Sequence, residues 1–179
     1  MTAGRGFGLP FFSHVSMKQG AAMKVILATR NRYLEYGLQQ MLEGYRVILA
    51  REFFIPENRK SVPTHDESWV IICDAMVSRL MRCMFQGRRY LQLDAEDITG
   101  RLEMDRKIRN GDWEQNTYAR PLTMSEMVVM FGYVYRESKP CHLAREMGIN
   151  TKTVNTFLYT GMAKNGLYGV SVKHLACAE

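Results

Sequence analysis

Residues 140–158, PCHLAREMGINTKTVNTFL, are the stretch that decides the fold of the C-terminal part of this chain. Pro140 suits the first position of a helix, because the N–H that proline lacks would be unpaired there. Gly148 can take the left-handed conformation that ends a helix, and Asn150 or Thr151 can cap the helix that follows. The stretch therefore predicts two short helices joined by a tight turn.

A further helix is predicted on the N-terminal side of this pair. Thr123 and Glu126 have the spacing of a capping box, in which each side chain bonds the backbone N–H of the other residue. The apolar residues that follow recur at helical spacing and form one face, namely Met127, Met130, Phe131 and Val134. Beyond residue 122 the pattern is helical throughout.

The last of the three predicted helices carries polar residues on the side opposite its apolar residues Val154, Phe157 and Leu158. Those pointing outward are Lys152, Asn155, Thr156, Tyr159 and Ala163. Two helices joined through a glycine turn are typical of a helix-turn-helix, which inserts its second helix in the major groove of DNA. Amine, amide, hydroxyl and phenol groups can reach phosphates and base edges. A helical bundle with a polar face would give the same pattern.

Residues 122–167 resemble the LuxR/NarL-type helix-turn-helix. The resemblance rests on Leu122-Thr123-x-x-Glu126, Leu143-Ala144, Met147-Gly148-Ile149, Lys152-Thr153-Val154 and Lys164. It implies that base contacts are made by Asn155, Thr156 and Tyr159, and that phosphates are held by Lys152, Thr153 and Lys164. It also implies a short fourth helix after Leu167, through which such domains pair as dimers. The sequence departs from the family pattern at Phe157, Gly161 and Asn165, where histidine, isoleucine and leucine are usual.

The N-terminal part alternates apolar strands with helices, which favours a small parallel α/β domain. Strands are predicted at 24–29, 45–50, 69–73 and 89–93, helices at 33–42, 76–85 and 95–109, and a loop at 51–67. This part resembles a response-regulator receiver more weakly. Asp74 follows the third strand, where the phospho-accepting aspartate of a receiver would lie. Thr29, Arg30 and Asn31 occupy the positions of the acidic pair, and arginine cannot ligate the hard cation Mg²⁺. We therefore expect a degenerate receiver that works without phosphorylation.

The domain organisation predicted from these patterns has four segments. Residues 1–22 are expected to be a disordered extension without the h-region of a signal peptide, 23–109 a receiver-like α/β domain, 110–121 a linker, and 122–179 an all-α domain of four helices. The turn residues Asn110, Gly111 and Asp112 mark the start of the linker.

Composition excludes several classes of protein. The chain has 179 residues with 46% hydrophobic and 23% charged residues, which is typical of a globular protein. No apolar run reaches the roughly 18 residues of a membrane helix, so no membrane association is expected. The cysteines, Cys73, Cys83, Cys141 and Cys177, form no C-x-x-C pair, which favours a reduced, cytoplasmic protein. No zinc spacing and no glycine-rich phosphate loop are present in the sequence, so we expect no cofactor and no enzymatic activity.

Charge and motifs together favour a bacterial-type transcription regulator. The net charge is +6, and residues 120–179 carry seven Lys and Arg against four Asp and Glu, a balance of +3. The expected partners are double-stranded DNA, a second copy or another LuxR-type regulator in a dimer, and RNA polymerase as a further candidate. An alternative is an interaction module that acts through a partner regulator without reading DNA. A phosphotransfer protein working through Asp74 is disfavoured by the missing acidic pair.

Overall fold

The computed structural model describes residues 23–63 and 66–176. Its centre is a four-stranded parallel sheet in the order β2-β1-β3-β4. The strands are β1 Met23–Ala28, β2 Val47–Leu49, β3 Ser68–Cys73 and β4 Arg89–Asp94. The predicted small parallel α/β architecture is confirmed. The apolar runs of β1 and β3 favour this architecture, because the strands of a parallel sheet are usually buried on both faces, as these two are.

The described part of the chain contains seven α-helices. They are α1 Arg32–Met41, α2 Ala50–Phe53, α3 Ala75–Phe85, α4 Arg101–Asn110, α5 Met124–Val134, α6 Pro140–Met147 and α7 Thr151–Lys164. Short 3₁₀ helices cover Pro56–Asn58, Ala95–Asp97 and Val172–Ala176. None of these helices is long and apolar enough to cross a membrane.

The boundaries differ from the predicted ones at three places. The second strand ends at Leu49, and the predicted loop 51–67 contains most of α2 and a 3₁₀ helix. The predicted helix 95–109 is split, because Ile98 is extended and α4 begins only after Gly100. The predicted fourth helix is a 3₁₀ helix, and residues 177–179 and the predicted extension 1–22 lie outside the described residues.

The sheet buries a separate apolar cluster on each face. On one face, Val25, Leu27 and Ile72 pack with Leu38 of α1 and Met104 of α4. On the other face the cluster begins at Ile26, Trp69 and Ile71 and continues without interruption through α3 into α5, α6 and α7. The helical C-terminal part (residues 122–176) therefore lies against one face of the sheet, whose strands and flanking helices (residues 23–109) are called the sheet-side part.

Helix α5 is buried on all sides. The five consecutive side chains of residues 127–131 are each no more than 1% exposed. Phe131 contacts Phe54, with ring centroids 5.2 Å apart, and Phe54 contacts Phe85 of α3 at 6.1 Å. A helix that is apolar all round belongs in a core, and α5 accordingly packs between the sheet-side residues and α6 and α7.

The middle of the segment 110–121 is hydrogen-bonded to strand β4 of the sheet. Tyr90 and Glu114 exchange backbone hydrogen bonds of 2.7 and 3.0 Å in an isolated antiparallel bridge. The guanidinium of Arg89 lies 4.9 Å from the ring centroid of Trp113. The division of the chain at this segment stays a prediction, and these contacts fix its path along β4.

Candidate nucleic-acid interface

The ends of α5, α6 and α7 follow the local signals in the sequence. The Glu126 N–H donates to Thr123 Oγ1 at 3.3 Å, and the Thr123 N–H donates to Glu126 Oε2 at 2.8 Å, which completes the capping box. Pro140 is the first residue of α6, and Gly148 ends this helix at φ +63°. Asn150 Oδ1 then accepts from the Thr153 N–H at 2.8 Å and caps α7.

Four of the six predicted DNA-contacting residues share one exposed face of α7. They are Lys152, Asn155, Thr156 and Tyr159, which recur at helical spacing. The opposite side is buried through Val154, Leu158 and Met162, the first of which is fully buried. Tyr159 exposes 67% of its surface although it is aromatic. The face is therefore polar, continuous and accessible.

Two hydroxyl groups near this face have partners in α7 or in its N-cap residue. Thr153 Oγ1 donates to Asn150 Oδ1 at 2.9 Å and so takes part in the cap of the helix. Thr156 Oγ1 donates to the Lys152 carbonyl at 2.9 Å, one turn earlier. Thr156 remains exposed and keeps its acceptor lone pairs, whereas Thr153 is half-buried.

Lys164, the sixth predicted residue, lies away from this face. Its Nζ is 2.8 Å from Glu126 Oε2 and 3.3 Å from the Pro121 carbonyl oxygen. The Glu126 side chain is only 5% exposed and that of Lys164 is 19% exposed. The ammonium of Lys164 therefore neutralises a buried carboxylate at the start of α5.

Arg59, in the sheet-side part of the chain, contacts the start of the turn between α6 and α7. Arg59 Nη1 donates to the carbonyl of Met147, and the Arg59 carbonyl accepts from Ser125 Oγ at 3.5 Å. Sequence reasoning missed this contact, since 88 positions separate the two partners and no local pattern links them. Arg145 and Glu146 are exposed on α6 beside it, so the charge around the turn is mixed.

Asp74 lies at the carboxyl edge of the sheet, as the position after β3 predicts. Its Oδ2 accepts from the Arg30 backbone N–H at 2.8 Å. The Arg30 guanidinium donates to the Tyr135 carbonyl at 2.9 Å and lies 5.1 Å from the Tyr135 ring centroid. Tyr135 Oη donates to the Thr29 carbonyl at 3.1 Å, and burial raises the pKa of this phenol. The edge beside Asp74 is thus covered by an arginine and a tyrosine.

The described residues contain no group of three or more His, Cys, Asp or Glu side chains that could hold a metal ion. Among the cysteines, Cys73 and Cys83 are buried and Cys141 is exposed, each as a free thiol. Burial is the main cause that raises the pKa of Cys73 and of Cys83 to about 12, so neither is suited to act as a nucleophile.

No family model matches the sequence, and no curated protein matches it. Among solved structures, the chain is similar to RcsB from Salmonella enterica serovar Typhimurium, bound to promoter rprA in the presence of the phosphomimetic BeF3⁻. The two share 12% sequence identity over 86% of this chain and 98% of that chain, with a TM-score of 0.37. A similarity of this size carries no functional conclusion.

Proposed function

We propose that this chain is a sequence-specific DNA-binding transcription regulator whose recognition helix is α7. The observation that carries the proposal is the exposed polar face formed by Lys152, Asn155, Thr156 and Tyr159 on a helix that is otherwise packed into the core. A helix presented in this way after a tight turn can enter the major groove, which is about 12 Å wide.

The side chains of this face divide into two chemical roles. The Lys152 ammonium is suited to phosphate, where it adds affinity without sequence preference. The Asn155 amide can donate and accept toward an adenine edge, and Thr156 and Tyr159 offer hydroxyl groups to bases. The family resemblance implies that Lys164 holds phosphate as well. Its ion pair with Glu126 favours a structural role instead, because a phosphate would have to compete with that carboxylate.

We propose further that the active species is a dimer, formed with itself or with another regulator of the same type. A single module buries only about 600–1,000 Å² of protein surface on DNA, whereas two modules on adjacent half-sites add their contacts. RNA polymerase stays a candidate partner. In this proposal the sheet-side part contributes regulation or pairing without phosphorylation, since Arg30 and Tyr135 cover the edge beside Asp74.

A salt-dependent DNA-binding titration of the whole chain tests the proposal. Lys152→Ala should weaken binding to all sequences and lower the slope of log K against log salt by about one unit. The matched control is Arg106→Ala, because Arg106 is 68% exposed on α4, which packs on the other face of the sheet. This control should leave the slope unchanged.

Recognition of the DNA sequence is tested separately with Asn155→Ala. This change should reduce the preference for the chain's own site over random DNA by roughly 1–3 kcal/mol. Equal losses on specific and random DNA would contradict the role of Asn155 as a base contact. Absence of salt-dependent binding by the wild-type chain, both alone and with a receiver-type partner regulator added, would contradict the proposal as a whole.

The alternative, an interaction module acting through a partner regulator, is favoured by one observation. Of the three side chains expected to hold phosphate, Thr153 and Lys164 are bonded within the chain, which leaves Lys152 alone on the exposed face. If the wild-type chain binds DNA only when a receiver-type partner regulator is added, and Lys152→Ala does not alter the salt slope, this alternative is correct.

A further inference from the structure

Side chains of the sheet-side part donate hydrogen bonds to helix C-termini of the C-terminal part, and side chains of the C-terminal part do the same for helices of the sheet-side part. The last carbonyl groups of an α-helix have no partner inside the helix, and they carry the negative end of its dipole. Here the sheet-side part supplies donors to helices of the C-terminal part, and the C-terminal part supplies donors to helices of the sheet-side part.

Two guanidinium groups of the sheet-side part lie at the ends of α5 and α6. Arg30 Nη2 donates to the carbonyl of Tyr135, the residue that follows α5, at 2.9 Å. Arg59 Nη1 donates to the carbonyl of Met147, the last residue of α6. Positive charge at a helix C-terminus is favourable, so both contacts stabilise the packing of these helices against the sheet-side residues.

The C-terminal part returns two donors. Asn165 Nδ2 donates to the carbonyl of Cys83 in the last turn of α3 at 3.1 Å. Arg136 Nη2 donates to the carbonyl of Phe54, the residue that follows α2, at 3.4 Å. The sheet-side part also contributes a fifth donor, since the buried Arg88 donates to the carbonyl of Leu122, just before α5, at 2.6 Å.

We infer that reciprocal capping of α2, α3, α5 and α6, together with the shared core helix α5, makes this chain one cooperative unit in which α7 is fixed relative to the sheet. The chain is then not a sheet domain with a freely tethered helical domain. The exposed face of α7 is presented at one orientation to any partner, and no release of the C-terminal helices is needed to expose it.

Asn165 is the positioning residue through which α7 itself is attached. Its amide bonds both the Cys83 carbonyl of α3 and the Gly161 carbonyl one turn earlier in α7, at 3.1 and 2.9 Å. Leucine, the usual residue at this position in the family that the sequence resembles, has no donor and would leave the Cys83 carbonyl without this partner. The departure at this position thus has a structural reason in the capping of α3.

Hydrogen exchange of the full chain in the absence of DNA tests the inference, read by mass spectrometry on peptides from β3, α5 and α7. In one cooperative unit the slowest amides of the three segments exchange through the same opening, so their protection factors should agree within about tenfold. Protection in α7 that is more than tenfold below that in β3 would overturn the inference. The measurement does not depend on whether the chain binds DNA.

Single substitutions test whether the cross-boundary hydrogen bonds of Asn165 and Arg59 hold α7 and α6 against the sheet-side part. Asn165→Leu should accelerate exchange in α7 at least tenfold, whereas the matched Asn155→Leu, on the exposed face of the same helix, should not. Identical rates in the two variants would contradict the role of Asn165. Should Asn165→Leu fail to fold, Arg59→Ala gives a second reading. It should accelerate exchange in α6 relative to Lys60→Ala, an exposed neighbour in the same loop, and equal rates in that pair would also contradict the inference.

Discussion

The ammonium nitrogen of Lys164 lies 2.8 Å from the carboxylate of Glu126, which is almost completely buried at the start of α5. The same carboxylate oxygen, Oε2, accepts the Thr123 N–H. One residue of the capping box is therefore also half of an ion pair that connects the first helix of the C-terminal part to the last turn of α7.

We expect Lys164→Ala to lower the free energy of unfolding by about 3 kcal/mol, because it leaves a buried carboxylate without its counter-ion. Urea denaturation of the full chain measures this. Lys152→Ala, an exposed lysine of the same helix, serves as the control and should change stability by no more than about 0.5 kcal/mol. A large loss of DNA affinity in Lys164→Ala with unchanged stability would return Lys164 to the phosphate-holding role that the resemblance implies.

Local signals in the sequence account for much of the fold. The apolar runs of β1 and β3 predict buried parallel strands, and Thr123, Pro140 and Gly148 predict helix ends, because each of these signals acts within a few residues. Exposure of Asn155 and Tyr159 likewise follows from helical spacing.

The single apolar face predicted for α5 did not indicate that this helix is buried on all sides between the sheet-side part and α6 and α7. Val128 and Val129 lie off the face formed by Met127, Met130 and Phe131, and their apolar character was the signal that α5 is covered on all sides. The partner of Lys164 and the caps provided by Arg59 and Asn165 depend on contacts between residues far apart in the chain, which no local pattern encodes.

If the chain is the DNA-binding regulator proposed above, Asp74→Asn should leave its DNA binding unchanged. The asparagine side-chain carbonyl can still accept the Arg30 N–H that Asp74 accepts at 2.8 Å, so the local structure is retained. Incubation with acetyl phosphate and Mg²⁺, followed by intact-mass measurement, should show no phosphorylated wild-type chain, because the resemblance to receivers implies that Arg30 stands in place of an acidic Mg²⁺ ligand, and arginine offers no oxygen. A mass increase of one phosphoryl group that Asp74→Asn abolishes would contradict phosphate-independent function.

Gly161→Ala should destabilise the chain by about 1–3 kcal/mol, the usual cost of overpacking a core. A Cβ at this buried position would lie 2.5 Å from Met130 Sδ and 3.6 Å from Leu122 Cδ2. Gly37→Ala is the matched control, because Gly37 is an exposed helical glycine with open space around its Cβ position. There the better helix propensity of alanine should raise stability by about 0.5–1 kcal/mol.

A double-mutant cycle separates packing from propensity at Gly161. If the cost of Gly161→Ala comes from Met130, it should be smaller in a Met130→Ala background, with a coupling energy of at least about 0.5 kcal/mol. Additive effects of the two changes would show that the close approach of α7 to α5 does not depend on the absence of a side chain at Gly161.

Glu137→Gly should raise the free energy of unfolding by about 0.5–1 kcal/mol. Glu137 has φ +55° in the turn between α5 and α6, a left-handed conformation that glycine adopts without the steric cost of a Cβ. Its side chain is 80% exposed, and its carboxylate lies 3.9 Å from Arg30 Nη1, so little is lost with the ion pair. Glu137→Ala removes the same carboxylate but keeps the Cβ, and it should change stability by no more than about 0.5 kcal/mol in urea denaturation. If the alanine variant gained as much as the glycine variant, the gain would come from removing the charge, and the backbone conformation would not be its cause.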